Sequence, residues 1–182
     1  MNAEGVRNAS ALAKRQNLSA QVRFQRCDVS QPLPFADASF DAVYSNDVFC
    51  HIPGRLALLR ELWRVLKPGG RLIFSDALVV GGTLSNQEIA TRSLIGYYLF
   101  VPPAENEKLI EAAGFRLLDV TDTTARAAEV AGRWHDAREK RESDLTALEG
   151  NINFDGLQKF LSCVQILTSE KRLLRLVYLA RK

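Results

Sequence analysis

The chain is expected to fold as an α/β domain with a doubly wound, mostly parallel sheet. Three observations predict this. Short apolar or alternating runs recur between helix-patterned segments, the order that layers helices over a parallel sheet. Polar residues come directly after several of those runs, as at Ser45-Asn46-Asp47 and Ser75-Asp76, where open α/β sheets place their ligands. The 182 residues suit one domain, 1–182, long enough to bury roughly 70% of the surface its unfolded form exposes.

Each element has its own warrant. Residues 4–17 carry Val6, Ala9, Ala11, Leu12 and Ala13 among polar neighbours and read as a helix. Val22 to Cys27 alternates with the period of two that marks a strand. Residues 31–38, with two prolines, form a loop, and Phe40 to Ser45 a short apolar strand. Leu56 to Leu66 places leucines, Trp63 and Val65 at helical spacing. Lys67-Pro68-Gly69-Gly70 should stop that helix and turn the chain back into a strand from Arg71 to Leu78. Helices are expected over Leu84–Leu99 and Ala104–Ala113, the second ended by Gly114 in a left-handed cap. A strand at Phe115–Val120 precedes one long charged helix, Thr124–Leu148. An amphipathic helix at Phe154–Thr168 and a buried strand at Leu173–Ala180 complete the chain.

Composition narrows the function. Net charge is only +3, with both signs interspersed, so nothing calls for nucleic acid or an anionic membrane. No N-P-P-Y tetrapeptide of the base-flipping kind occurs. Cys27, Cys50 and Cys163 are odd in number and form no C-x-x-C pair, so no metal site is indicated. The cysteines suit a reducing cytoplasm. No apolar run approaches the ~20 residues of a membrane span.

One stretch carries far more specific information. It runs from Leu33-Pro34-Phe35-Ala36-Asp37 through Phe40-Asp41-Ala42-Val43-Tyr44-Ser45-Asn46-Asp47 and His51-Ile52-Pro53 to Arg60-Glu61-Leu62 and Val65-Leu66-Lys67-Pro68-Gly69-Gly70. Over roughly Val22 to Asp76 this resembles the class I S-adenosylmethionine-dependent methyltransferases of the type 11 group, phosphoethanolamine methyltransferases among them. The resemblance implies a Rossmann-like sheet, S-adenosylmethionine as cofactor, and a small molecule methylated at nitrogen or oxygen.

Residue by residue, the resemblance implies that Asp28 and the backbone of Val29 meet the adenine. On its position alone, Asp28 could equally cap a turn. Ser45 and Asn46 would pass beside the methionine part of the cofactor. Asp47 and His51 are four apart where a helix is expected to begin, which would set them on one face. In phosphoethanolamine methyltransferases, Asp and His at this spacing act near the methyl acceptor. An imidazole there could remove the acceptor's proton, or His51 could simply pack the next helix. Tyr97 and Tyr98, with Phe100, fall where the family often has a substrate lid, although aromatics so placed are commonly core. Residues 79–153 are the expected lid and substrate region. His135 is expected to be solvated, and Lys171, Arg172, Arg175, Arg181 and Lys182 to be polar ends of the last strand.

No G-x-G occurs in the chain. Met1-Asn2-Ala3-Glu4-Gly5-Val6 resembles the turn just after the family's ribose-binding acidic residue. The expectation is a methyltransferase fold incomplete at its N-terminus, lacking its first two strands, upwards of ~30 residues. The Phe40–Ser45 strand would then have a bare edge, inviting Val22–Cys27 to pair with it or a second copy to complete it. A homo-oligomer is therefore expected. The alternative to an enzyme is a descendant that binds or scaffolds without catalysing.

Overall fold

The computed structural model describes residues 3–182, and the Met1-Asn2 start of the resemblance lies outside them. The chain forms two compact units, one reaching to Ala36 and one covering Asp37–Lys182.

In the first unit, α1 (Ala3–Arg15) has Glu4 in its first turn and Lys14 and Arg15 in its last, charges that complement the helix dipole. It ends where Asn17 turns left-handed at φ 58°, which lets Leu18 N–H reach Ala13 O at 2.8 Å. The strand expected over Val22–Cys27 is absent. These residues are irregular, and Val22 and Phe24 remain exposed. Alternation favours an extended backbone, but a strand exists only through ladder bonds to a neighbour. Among the described residues of this unit no second strand supplies one.

The second unit is built on a sheet of four strands among the described residues. These are β1 (Phe40–Asn46), β2 (Leu66–Val80), β3 (Arg116–Asp122) and β4 (Leu173–Arg181), in the order β1-β2-β4-β3. β1 pairs with β2 in parallel, while β4 pairs antiparallel with both β2 and β3. Strands β1, β2 and β3 thus all point one way, as a mostly parallel sheet requires, and β4 is the reversed strand between two of them. The reversal has a local cause. Three helices return the chain to the rim where β3 ends, and there Thr123 N–H bonds Arg175 O at 2.9 Å. β1 has a ladder on one side only, as expected, and Tyr44 on it is 69% exposed.

α2 (Arg55–Val65) buries Leu58, Leu59, Leu62 and Val65 of the stripe read from sequence, while Trp63 from the same stripe is exposed. The chain does reverse after this helix, as the parallel pairing of β1 and β2 requires, but strand pairing starts earlier than the expected Arg71. β2 begins at Leu66, and its register with β1 jumps from Phe40↔Leu66 to Ala42↔Arg71. Lys67-Pro68-Gly69-Gly70 is therefore a bulge within a strand, a place where proline and glycine are tolerated. Gly69 takes φ 78° there, and a Cβ on Gly70 would lie 2.8 Å from Lys67 O.

α3 (Asn86–Arg92) opens with a capping box between Ser85 and Glu88 but ends seven residues short of the expected Leu99. Leu94, Ile95 and Tyr97 are exposed, so a longer helix would have no apolar face to bury, and Gly96 further disfavours it. The backbone instead straps the sheet: Leu99 N–H bonds Cys50 O (2.8 Å), and Val101 N–H bonds Leu78 O (2.9 Å). α4 (Glu105–Ala112) ends at Gly114 with φ 97°, as predicted.

The long charged helix is two helices, α5 (Thr124–Glu139) and α6 (Glu142–Glu149). α5 buries Thr124, Ala128, Ala131 and Gly132, whereas α6 buries nothing. The chain bends once packing no longer holds it straight, and an Arg138–Glu149 ion pair ties the two pieces. α7 (Asn151–Ser169) lies close against α5, where a Cβ on Gly132 would come 2.6 Å from Gln165 Nε2. In the core Phe74 stacks on Phe49 and on Tyr178, with centroids 4.2 and 4.9 Å apart. Among the described residues no helix is long and apolar enough to cross a membrane.

Candidate functional site

β1 ends at Asn46, registered against Ser75 of the parallel β2, which runs on to Val80. Here the backbone turns sharply. Asp47 adopts φ 51°, a left-handed conformation that costs energy for any residue with a Cβ. Its surroundings hold it there. Asp47 N–H donates to Ser75 Oγ at 3.0 Å, and that hydroxyl lies 2.7 Å from Asp47 Oδ1 and 3.0 Å from Asn46 Oδ1.

Arg175, at the start of β4, closes the network. Its Nε donates to Asp47 Oδ2 (3.1 Å), its Nη2 to Asn46 Oδ1 (2.8 Å) and Ser75 Oγ (3.0 Å), and its Nη1 to Thr123 Oγ1 (3.0 Å). Four segments distant in sequence are thereby fixed to one another. Sequence reading placed Arg175 among polar strand ends and so missed it. A signal was present, since it is the one charge inside Leu173–Ala180.

Beside this network lies a cavity of about 490 Å³, within the range of small-molecule sites. Val130, Ala131 and Trp134 of α5 and Phe160, Leu161 and Val164 of α7 give it apolar walls. Asn46, Asp47, Arg92, Arg126 and Arg175 supply its polar groups.

The structure separates Asp47 from His51 in their bonding. No α-helix spans them; Phe49–His51 is a single 3-10 turn. Asp47 faces Ser75 and Arg175, whereas His51 Nδ1 lies 2.7 Å from Tyr97 O. A carbonyl can only accept, so Nδ1 carries the proton and, in the neutral ring, Nε2 is the basic nitrogen. Tyr98 lies tilted against the His51 ring, centroids 4.7 Å apart, and packs on the core formed by Cys50, Leu78, Cys163, Leu167 and Leu173. Tyr97 is 66% exposed.

Asp28, in the first unit, caps a turn: its Oδ1 accepts from Ser30 Oγ (2.7 Å) and Ser30 N–H (3.0 Å). The Ser30 hydroxyl first, then its amide, hold the carboxyl below the usual range. Val29 beside it is half-buried.

Ser75 and Asp76 do not share the rim, as their adjacency had suggested. Asp76 is fully buried, accepting from Arg55 Nη1 (2.5 Å), Asn106 Nδ2 (3.1 Å) and Leu78 N–H (2.9 Å). Burial pushes the Cys50 thiol up to about 12 and raises the Cys163 thiol as well, which rules out both as thiolate nucleophiles at neutral pH. His135, Asp136 and Glu139 bring ligating atoms within 4.8 Å of one another on α5, and among the described residues no second element adds to them.

Comparison with known proteins points to a family. Residues 1–74 match the methyltransferase domain family. An O-methyltransferase of Aspergillus sclerotiorum, resE, is 36% identical over 122 residues, covering 64% of this chain and 44% of that protein. The chain spans about two fifths of the length of the curated relatives it matches. Its fold superposes with TM-score 0.87 on a sarcosine dimethylglycine methyltransferase structure from Galdieria sulphuraria, at 18% identity, covering 100% of this chain and 67% of that one. It also superposes on Haemonchus contortus phosphoethanolamine N-methyltransferase 2, bound to phosphomonomethylethanolamine and S-adenosylhomocysteine. That match has TM-score 0.76 and 26% identity, covering 86% of this chain and 36% of that one.

Proposed function

We propose that this chain, which belongs to the class I S-adenosylmethionine-dependent methyltransferases, transfers a methyl group to a small molecule at nitrogen or oxygen. The observation that carries this reading is the network of Asn46, Asp47, Ser75 and Arg175 at the mouth of an apolar cavity. It stands where the parallel strands β1 and β3 end, and sheets of this kind bind ligands at the carboxyl ends of strands.

The donor set fits the cofactor. S-adenosylmethionine, when bound, supplies an electrophilic methyl carbon on a sulfonium. Asn46, its Oδ1 held by Arg175, keeps its amide Nδ2 as a donor, and half-buried Ser45 precedes it on β1. In the first unit, the ionised Asp28 carboxylate is an acceptor for an exocyclic adenine amine, and Val29 offers its backbone. Asp47 and Arg175 fix the rim against which the acceptor is oriented, which is most of what an in-line displacement asks of a protein. His51 Nε2 takes the proton that the acceptor nitrogen or oxygen sheds as its lone pair attacks the methyl carbon. Tyr97 and Tyr98 flank the imidazole on the strap, outside the cavity lining, and are assigned to the acceptor on the family resemblance alone. Residues 79–153 contribute Arg92, Arg126, Val130 and Trp134 to the cavity, which supports their role as the substrate region.

Calorimetric titration with S-adenosylhomocysteine tests the reading. Binding in the micromolar range is expected, weakened by Asn46→Ala. No heat at millimolar ligand would overturn catalysis by this chain and favour a non-catalytic binding role. The half-paired β1 edge, with Tyr44 exposed on it, supports association of two copies there. Light scattering should then report a dimer, and a monomer that melts cooperatively would remove that part of the reading.

A further inference from the structure

We infer that the acceptor bound in this cavity is an organic anion, an apolar body bearing a carboxylate or phosphate, held by the Arg92 guanidinium. The inference rests on assigning the cavity to the acceptor. Arg92 ends α3 and lines the cavity. It is only 6% exposed, and its Nε and Nη1 are buried without a hydrogen-bond partner. Among the described residues no carboxylate pairs with it. A guanidinium cannot shed its proton in a protein, so burial leaves an uncompensated charge, which destabilises a fold unless a partner is supplied.

The rest of the sheet unit shows how unusual this is. Arg55, equally buried, has Asp76, Asn106 and Leu99 O as partners, and Arg175 has Asp47 and Asn46. Arg92 has instead the faces of Tyr98 and Phe160, 4.5 and 4.7 Å from its guanidinium carbon. These rings orient the group and soften its desolvation, but neither brings a negative charge. Nor do the nearby thiols of Cys50 and Cys163, which burial keeps protonated.

The cavity as a whole carries the same imbalance. Arg92, Arg126 and Arg175 line it against a single acid, Asp47, and Asp47 is already taken by Arg175 and Ser75. A ligand that completes the site therefore brings one negative group toward Arg92 and lays an apolar body along Val130, Trp134 and Leu161.

Calorimetry without cofactor tests this independently of S-adenosylhomocysteine binding, using 1-naphthylacetate, 1-naphthyl phosphate and the neutral 1-naphthylacetamide. At least one anion should bind about 10- to 100-fold more tightly than the amide, the range of a hydrogen bond to a charged group. The tighter of the two identifies carboxylate or phosphate. Arg92→Met should abolish the preference and Arg92→Lys keep part of it. Equal affinity for anion and amide in the unaltered chain, or no anion binding, overturns the inference without any variant. So does a preference that survives in folded Arg92→Met.

Discussion

Arg55–Asp76 and Arg175–Asp47 are two pairs of the same chemistry anchored at neighbouring positions of β2, since Ser75 serves the second pair and Asp76 belongs to the first. Successive strand residues point to opposite faces, so one step along the chain moves from rim to interior. Asp76 is 0% exposed and Arg55 5%, with Asn106, Leu78 N–H and Leu99 O completing their bonding. Asp47 and Arg175 keep 34% and 22% of their side chains in contact with solvent, border a cavity, and fix a strained backbone. The interior pair joins α2, β2, α4 and the strap as structure. The rim pair keeps its groups within reach of a ligand.

The largest expected effect lies in the interior. Asp76→Asn presents amide hydrogens to the Arg55 and Asn106 donors and leaves a buried cation without its partner. A loss of about 3–5 kcal/mol is expected, a large share of the ~5–15 kcal/mol that holds a typical domain together. Urea unfolding measures it directly. A loss below about 1 kcal/mol would erase the distinction between the two pairs.

At the rim, a double-mutant cycle of Asp47→Asn and Arg175→Met should give a coupling of about 1 kcal/mol in 0.1 M salt. It should fall in 1 M salt, where charges are screened beyond roughly 3 Å. The Arg55–Asp76 coupling should not move with salt, because ions do not reach it. A rim coupling as large and as insensitive to salt as the interior one would mean that both pairs are structural.

These pairs also mark how far the sequence could be read. α2, β1, the apolar half of β2 and the Gly114 cap arise from patterns local to each segment, and all stand as expected. Val22–Cys27 had the right alternation but no ladder partner, which no local pattern reveals. Lys67-Pro68-Gly69-Gly70 was legible as a break but not as a bulge, because a bulge is defined by the neighbouring strand. The rim positions Ser45, Asn46 and Asp47 could be found from their place after an apolar run. Arg175 lies 128 residues from Asp47, and only the reversal of β4 brings the two together. The spacing of Asp47 and His51 misled for a related reason, since Asp47 is engaged by Ser75 and Arg175 and His51 by Tyr97, partners that no local spacing reveals.

A third carboxylate, Glu88, extends the comparison to the surface and to its smallest expected effect. It closes the capping box of α3 and pairs with Arg172. The Ser85 backbone N–H first, then the Ser85 hydroxyl and Arg172, hold its carboxyl down to about 2. A carboxyl whose folded value lies below its unfolded one stabilises the fold above the unfolded value, here about 4.5. That contribution is lost as pH falls through the folded value. Glu88→Gln should therefore be less stable than the unaltered chain at pH 7, with the difference shrinking as pH drops from about 4.5 toward 2. Ser85→Ala, which removes the cap itself, should cost about 1 kcal/mol at pH 7, far below the Asp76 substitution. Unfolding curves at pH 7, 4 and 3 check both, and a Glu88→Gln deficit unchanged at pH 3 would show that the helix start does not depend on the carboxylate charge.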